Sequence, residues 1–344
     1  MSSLTNPKQR YYYSLLSEND KKIYDDIVSA WRDLNRNVKI PNSPSCGIST
    51  MLEYIRYDIP KLFYVDFNGI SYRNHFNSVT LNTRFHYTDS EIANLKKQLN
   101  KAIKSFTCNI LNEKMSPFER ELSAHDFLAS TVKYDFQSKN DFENASIVAP
   151  LLKNRGICEG YAKAFKLLCD EIGVSSLVAF GTAVNSLNYV KTGTGEYEGH
   201  AWNIVKIGGK CAHVDVTWDS VNPLQNNSKI RYDYFNLADD EISKDHVWDK
   251  NKYPKCDTHN MSYYHVNDYY ITSKGDFEKY IINQIKNKVA SFNVKFSFEF
   301  EDNKEITRYI SKAMSKYPLI LKTWSYSLGV SYNKAMRTAL ITIE

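Results

Sequence analysis

The chain has 344 residues, of which 24% are charged and 42% are hydrophobic, the composition of an ordinary globular protein. Its formal net charge of +5 comes without any block of about five or six Lys or Arg, so we expect no nucleic-acid partner. No signal peptide and no stretch of about 18 apolar residues is visible, so we expect no membrane insertion.

The six cysteines are scattered along the chain and form no Cys-x-x-Cys pair. In a chain of this length, that pattern predicts neither a disulfide framework nor a zinc site. A reducing compartment is the simpler assumption. Because no export signal is visible, the cytoplasm is the simpler assumption, and the location itself stays open.

The first predicted element is a helix capped by Ser17. Ile23, Ile27 and Trp31 recur on one face of it, which is the spacing of an amphipathic helix. Residues 41–48 are rich in Pro, Ser and Gly and are predicted to form a loop.

Two alternating runs on either side of an Asn-Gly pair predict a β-hairpin. The runs are residues 61–67 and 70–76, and Asn68-Gly69 is a pair that favours a two-residue turn. Residues 79–87 predict a third strand after the hairpin.

Two helices with clear start signals follow. Thr88 and Glu91 form a capping box ahead of a long helix, and Ser116 with Glu119 marks the start of a second one. His125 lies on the apolar side of this second helix. There we expect a satisfied, half-buried histidine rather than a catalytic one.

Residues 156–173 predict an amphipathic helix that begins next to Cys158 and is closed by a glycine. A thiol at a helix N-terminus meets unpaired backbone N–H groups and the positive end of the helix dipole, and both favour the thiolate. Gly156 and Gly160 are expected to leave room for a substrate backbone. Cys169, in the middle of the helix, is expected to be inert. The predicted buried anchors are Tyr161, Phe165, Leu168 and Ile172.

Three strands are predicted next, over residues 175–184, 199–207 and 210–218. Gly208-Gly209 predicts a two-residue turn between the second and the third strand. These two strands therefore form a predicted hairpin whose register follows from the length of the turn.

In that register, His200 and Asp215 become diagonal neighbours on one face of the hairpin, whereas a slip of one residue would separate them. An aspartate beside the imidazole fixes its tautomer, and the other ring nitrogen can then take the proton of Cys158. His213 shares that face, but nothing near it completes a metal site, so no metal is expected. His246 has no visible partner in the sequence.

The rest of the chain predicts a polar connection over residues 220–257 and a small C-terminal α+β unit. The Gly-rich stretch 191–199 is expected to be a flap on the substrate side. We predict three regions: an N-terminal region (1–115), a catalytic core (116–258) and a C-terminal unit (259–344). The C-terminal elements are predicted as strand, helix, strand, helix and two strands, over 264–272, 276–292, 294–302, 304–317, 321–329 and 334–343.

Three segments resemble, in order and spacing, the signature segments of the transglutaminase-like superfamily of papain-like cysteine enzymes: GICEGYAKAF, GHAWNIV and HVDVTWD. The similarity covers residues 115–220, and the flanking regions resemble extensions found in bacterial members. The resemblance implies an α+β fold with a papain-like core, in which a helix bearing Cys158 packs on an antiparallel sheet bearing His200 and Asp215. It also implies that Cys158 is the nucleophile, His200 the base and Asp215 the third member of a triad.

The resemblance further implies that an oxyanion is held by the backbone N–H of Cys158 and by an upstream side chain. Tyr134 is our candidate for that side chain. Trp202, next to the catalytic strands, is a second candidate for substrate or oxyanion contact. For both aromatic residues, packing is the alternative role.

The function expected from these residues is cysteine-dependent acyl transfer on an amide bond through a thioester, with hydrolysis of protease or amidase type favoured. The substrate would be a peptide or protein, and no cofactor is expected. Protein-glutamine transamidation and deglycosylation of the peptide N-glycanase type remain alternatives. A non-catalytic binding module that retains the fold is an alternative of another class. The oligomeric state stays open.

Overall fold

The computed structural model describes residues 10–110, 112, 114–138, 141–184, 197–220, 229–316 and 327–343. The chain divides into two compact units, the first made of residues 1–181 and 199–209, the second of residues 182–198 and 210–344. The three regions predicted from the sequence stay a prediction. None of the helices in the described ranges is both long enough and apolar enough to cross a bilayer.

The first unit opens with helices around a three-stranded antiparallel sheet of order β1-β3-β2. The predicted start signals are confirmed: the Ser17 side chain accepts from the backbone N–H of Asp20, and Thr88 and Glu91 form their capping box. The elements are α1 (Tyr11–Ser14), α2 (Glu18–Arg32), β1 (Asn37–Ile40), α3 (Ile48–Asp58), β2 (Ser71–His75), β3 (Ser78–Asn82) and α4 (Asp89–Ile110).

The predicted strand over residues 61–67 is wrong. Pro60 begins a short 3-10 helix, and the four consecutive residues 62–65 are all buried, without the alternation of a half-buried strand. Gly69 donates its N–H to both the backbone and the side chain of Asp66, so the Asn-Gly pair closes a local turn. The hairpin in this region joins β2 to β3 instead.

The remainder of the first unit is built around a nearly fully buried helix, α7. Its predicted anchors Tyr161, Phe165, Leu168 and Ile172 are all buried. The Asn203 side chain donates to the carbonyl of Ala162 in α7 at 3.0 Å and to that of Leu177 at 3.1 Å, which fixes the helix against two strands. The elements are α5 (Pro117–Thr131), β4 (Lys133–Tyr134), α6 (Val148–Leu152), β5 (Arg155–Gly156), α7 (Cys158–Glu171), and parts of β6 (Ser175–Val184) and β7 (Tyr197–Ile207).

The second unit combines short paired elements with a C-terminal α+β layer. The end of β6 pairs antiparallel with β10, and β8 pairs antiparallel with β9. The elements are β8 (Lys210–Val214), α8 (Val216–Asp219), β9 (Phe235–Leu237), α9 (Asp239–Ile242), β10 (His246–Val247), α10 (Tyr263–Val266), β11 (Tyr270–Ile271), α11 (Lys274–Lys286), β12 (Ser291–Phe296), α12 (Asn303–Ser315), β13 (Leu328–Asn333) and β14 (Thr338–Ile343).

The C-terminal part of this unit follows the predicted order of helices and strands, but several predicted bounds are wrong. Residues 263–266 form α10 at the start of the region predicted as the strand 264–272, and α11 ends at Lys286 instead of residue 292. Strands of order β11-β12-β14-β13 form a sheet, and Phe277 of α11, Ile310 of α12 and Ile341 of β14 share one core cluster. Most of the predicted strand 321–329 lies outside the described residues, as does most of the predicted flap 191–199. The fold class is α+β, with a buried helix packed against strands, as predicted.

Two predictions for the region after β7 are wrong. The third predicted strand, 210–218, ends at Val214 and is followed by α8, because the backbone turns at Asp215. The polar connection 220–257 contains β9, α9 and β10, so it is more regular than its composition indicates. Very short elements carry too few residues to show a periodicity.

Candidate active site

Cys158 is the first residue of α7 and is a free, half-buried thiol. The N-cap residue is Ile157, whose side chain makes no cap hydrogen bond. The start of a 14-residue helix therefore supplies backbone N–H groups and a positive dipole end next to this thiol, as predicted.

The two glycines beside Cys158 have a different role from the predicted one. Both lie against the chain itself, and a Cβ on Gly160 would lie 2.1 Å from the backbone oxygen of Asn144. A Cβ on Gly156 would lie 3.0 Å from Pro150. These glycines admit the chain's own residues 144–150 to the helix start, not a substrate backbone. The carbonyl of Asn144 also accepts from the N–H of Ile157, which fixes the N-cap.

The negative charge of Glu159, the residue after Cys158, is balanced by two cationic side chains. Glu159 contacts Arg56 and Lys163, each at 2.7 Å. Burial by itself raises the pKa of Glu159, but the charges of Lys163 and Arg56 hold it below its usual value. Burial in turn lowers the pKa of Lys163. The carboxylate of Glu159 therefore has two cationic partners, and its charge near Cys158 is balanced.

A cleft of about 300 Å³ adjoins the start of α7 in the first unit. Ile157 and Glu159, on either side of Cys158 in the sequence, contribute to its lining. His86 and Phe142, stacked with ring centroids 3.8 Å apart, form part of another wall. The cleft therefore combines apolar, aromatic and charged surfaces.

Tyr134 lies next to the segment that leads into Cys158. It is half-buried and pairs with Gly156 in the parallel β4–β5 ladder, with its ring 4.6 Å from that of Phe136. The next residue, Asp135, donates its N–H to the carbonyl of Gly156. This places Tyr134 opposite a residue two positions before the thiol, and its oxyanion role stays a prediction.

His200 and Trp202 are neighbours on one face of β7. Their ring centroids are 6.0 Å apart and their planes differ by 19°, and Trp202 is 1% exposed. His200 itself is half-buried. The contact agrees with the packing role considered for Trp202, because the indole forms a wall beside the imidazole; a contact to substrate stays a prediction.

Asp215 is fully buried and caps α8 rather than continuing a strand. Its Oδ1 accepts from the backbone N–H groups of Thr217 at 3.0 Å and Trp218 at 3.3 Å, a typical N-cap arrangement. The predicted register makes His200 and Asp215 diagonal neighbours only if residues 215–217 are extended, and these residues are not extended. The assembly of Cys158 and His200 from the first unit with Asp215 from the second stays a prediction.

The partner of His246, which sequence reasoning missed, is Asp215. His246 is 1% exposed, and its Nε2 lies 3.2 Å from Oδ2 of Asp215. Its Nδ1 lies 2.6 Å from Oδ1 of Asp245. No local sequence signal points to this contact, because the two residues are 31 positions apart and meet only in the folded chain.

Two residues for which no catalytic role is predicted, Cys169 and His125, are both buried. Cys169 is fully buried, and burial raises the pKa of its thiol. His125 is fully buried, more than predicted, and its Nδ1 lies 3.0 Å from Oδ1 of Asp126. Neither group carries the properties of a nucleophile or an exposed base.

A group of residue types that can bind metals lies within the second unit. His213, Asp239 and Cys256 bring one ligand atom each to within 4.8 Å of one another. Burial raises the pKa of the Cys256 thiol, which disfavours the thiolate that zinc requires. His213 already contacts Asp239 through its Nε2 at 2.9 Å. The hydrogen bond between His213 and Asp239 explains why these two side chains lie together.

Comparison with known proteins agrees with the motifs. Residues 104–223 match the family model described as Transglutaminase-like superfamily. Kyphoscoliosis peptidase from Mus musculus is 28% identical over 131 residues, which are 37% of this chain and 19% of that protein. The chain thus spans about a fifth of the length of this curated relative.

Two solved structures show the same kind of similarity at low sequence identity. A structure described as a TGase is 13% identical, with a TM-score of 0.30, and the match covers 43% of this chain and 44% of the other. A candidate cysteine protease from Cytophaga hutchinsonii is 15% identical, with a TM-score of 0.28, and the match covers 43% and 61%. Over residues 104–223, this chain is thus similar to the transglutaminase-like superfamily.

Proposed function

We propose that the chain catalyses cysteine-dependent acyl transfer on an amide bond, with hydrolysis of a peptide-type bond as the outcome. The observation that carries the proposal is the position of Cys158 at the start of a long, buried helix. Burial fixes α7, while the thiol at its first residue stays partly exposed. A partly exposed thiol on a fixed helix is positioned to attack a substrate carbonyl.

In the proposed reaction, His200 takes the proton of the Cys158 thiol, and the thiolate attacks the amide carbonyl. The backbone N–H of Cys158 supports the oxyanion, with Tyr134 as the proposed second donor. Protonated His200 then gives its proton to the leaving amine, and the C–N bond breaks to leave a thioester. Water, deprotonated by His200, releases the acid and restores the thiol. Asp215 orients His200 and stabilises its cationic form.

Two findings support this choice of chemistry. The family match covers the segments that contain Cys158, His200 and Asp215. The name of the mouse relative is that of a peptidase, which agrees with hydrolysis of a peptide bond. Transamidation differs only in the group that attacks the thioester, so it is one outcome of the experiment below.

The nucleophile is tested by alkylation. We expect iodoacetamide, at neutral pH and low concentration, to modify Cys158 at least about tenfold faster than Cys108, which is exposed and serves as an ordinary thiol in the same molecule. Peptide mass spectrometry measures both rates. Equal rates would remove the basis for an activated nucleophile.

The reaction is tested with a library of peptides containing glutamine or asparagine, with and without a primary amine, and mass spectrometry of the products. We expect hydrolysis, and the Cys158→Ala variant should be folded and inactive. Asp215→Asn should remain folded, because asparagine can also cap a helix, and should lose about 10³–10⁴-fold in turnover. Turnover by Cys158→Ala would refute the mechanism, and amine incorporation would reassign it to transamidation.

A further inference from the structure

His246 is the centre of a buried polar chain in the second unit. On one side lies Asp215, and on the other lies Asp245, whose second carboxylate oxygen accepts from the hydroxyl of Tyr234 at 2.6 Å. The indole of Trp218 packs against the imidazole, with ring centroids 4.5 Å apart. Backbone pairing of His246 with Ala183 holds the histidine in place.

The two contacts of the His246 ring limit which of its nitrogens can donate a hydrogen bond. Both ring nitrogens of His246 lie within hydrogen-bond distance of a carboxylate oxygen, at 3.2 Å for Asp215 and 2.6 Å for Asp245. A neutral imidazole has a single N–H and can donate to only one of them.

The contact with His246 bears on the burial of Asp215. A carboxylate that is 0% exposed is costly to ionise unless charge and hydrogen bonds compensate it. The backbone N–H groups at the start of α8 donate to Oδ1, and Nε2 of His246 lies within hydrogen-bond distance of Oδ2. Each carboxylate oxygen can accept more than one hydrogen bond, so these contacts leave acceptor capacity for another donor.

We propose that His246 is a positioning residue for the catalytic machinery: it orients the Asp215 carboxylate and keeps it ionised. The inference rests on the proposed function, in which Asp215 acts on His200. His246 touches neither substrate nor the reacting atoms in this scheme. We expect its effect to reach Cys158 through Asp215, and this dependence makes the inference testable.

Two substitutions of His246 test the contacts of its two ring nitrogens separately. The amide nitrogen of glutamine can take the place of Nε2 and still donate to Asp215, whereas that of asparagine replaces Nδ1 and loses this contact. We expect His246→Asn to lower the rate of Cys158 alkylation by iodoacetamide by about 10–100-fold. His246→Gln should stay within about threefold of the unsubstituted protein.

His213 offers a matched control. It is also fully buried, and its Nε2 contacts a carboxylate, that of Asp239, at 2.9 Å. His213→Asn removes the equivalent contact and should leave the alkylation rate of Cys158 within about threefold. Circular dichroism melts identify the temperatures at which all variants are folded, and rates are compared only there.

A double-mutant cycle with Asp215→Asn completes the test. If His246 acts through Asp215, His246→Asn causes no further loss of Cys158 reactivity once Asp215 is already replaced. Additive losses, equal losses in the Asn and Gln variants, or an unchanged rate in His246→Asn would each overturn the inference. If Cys158 in the unsubstituted protein reacts no faster than Cys108, the proposed function fails and the inference falls with it.

Discussion

Asp58 is a buried carboxyl group that organises the start of the described chain. It accepts hydrogen bonds from the backbone N–H groups of Tyr12 and Tyr13, at 3.2 and 2.7 Å, and so fixes α1. Burial raises the pKa of Asp58 to about 6, although Lys166 and these two N–H groups oppose the rise. The carboxyl therefore titrates near neutral pH in the folded protein.

This raised pKa has a defined effect on stability. An unfolded aspartate has a pKa of about 3.9, so between about pH 4 and pH 6 the folded protein binds more protons at Asp58 than the unfolded chain. The contribution of Asp58 to the free energy of unfolding is complete below about pH 4 and is lost as the pH rises through about 6.

We expect the stability difference between the unsubstituted protein and Asp58→Asn to change by about 1–3 kcal/mol from about pH 4 to pH 7, because asparagine does not titrate. At acidic pH, the free energy of unfolding of the unsubstituted protein rises relative to that of the variant. Urea unfolding at several pH values measures the difference. A difference independent of pH, or one that grows in the opposite direction, would contradict the assignment.

Single residues differed in how far the sequence revealed them. Cys158 was recognisable because its neighbours form a local pattern, and the pattern fixes its position at a helix start. Asp215 was selected by the motif, but its N-cap geometry depends on a turn that strand propensity does not predict. The role of His246 depends on a residue 31 positions away, and such a contact exists only once the chain has folded.

At the scale of elements, helices with side-chain caps were the most predictable part of the fold. The capping box of Ser116 and Glu119 is formed, and α5 begins at Pro117. Strand predictions failed where burial was continuous, as in residues 62–65, or where the chain turned after few residues, as after β8. In both cases, tertiary packing determines whether the segment forms a strand, and a short stretch of sequence does not show that packing.

The close approach of residues 144–150 to α7 yields a prediction about Gly160. The Gly160→Ala variant places a Cβ 2.1 Å from a backbone oxygen, and backbone cannot move aside as a flexible side chain can. We expect a loss of about 1–3 kcal/mol in the free energy of unfolding, measured by urea denaturation, despite the higher helix propensity of alanine.

Gly275 provides the control for this substitution. It is exposed in α11, and a Cβ added there would have Oγ of Ser273, at 3.8 Å, as its nearest neighbour. Gly275→Ala should leave stability unchanged or raise it by up to about 1 kcal/mol. If both alanine variants shifted stability in the same direction, the steric explanation for Gly160 would be wrong.

For the whole molecule, the sequence predicted the α+β class and the C-terminal order of helices and strands, but not where the compact units divide. The division falls inside β6, after Gly181, and inside β7, after Glu198. A boundary within a strand leaves no linker, low-complexity segment or change of composition for sequence analysis to detect.

A division inside strands also predicts how the molecule unfolds. Since β6 and β7 each contribute residues to both units, loss of either strand removes structure from both, and we expect one cooperative transition. Two fully buried thiols report on it, Cys169 in the first unit and Cys256 in the second. Both should become reactive at the same urea concentration, within about 0.5 M.

Pulsed alkylation at increasing urea, followed by peptide mass spectrometry, gives a protection curve for each thiol. Cys108 is exposed and should react throughout, so it calibrates the pulse at every urea concentration. Reaction of Cys256 at a concentration where Cys169 is still protected would show that the second unit opens on its own. The reverse order would show the same for the first unit, and either result would rule out a single cooperative transition.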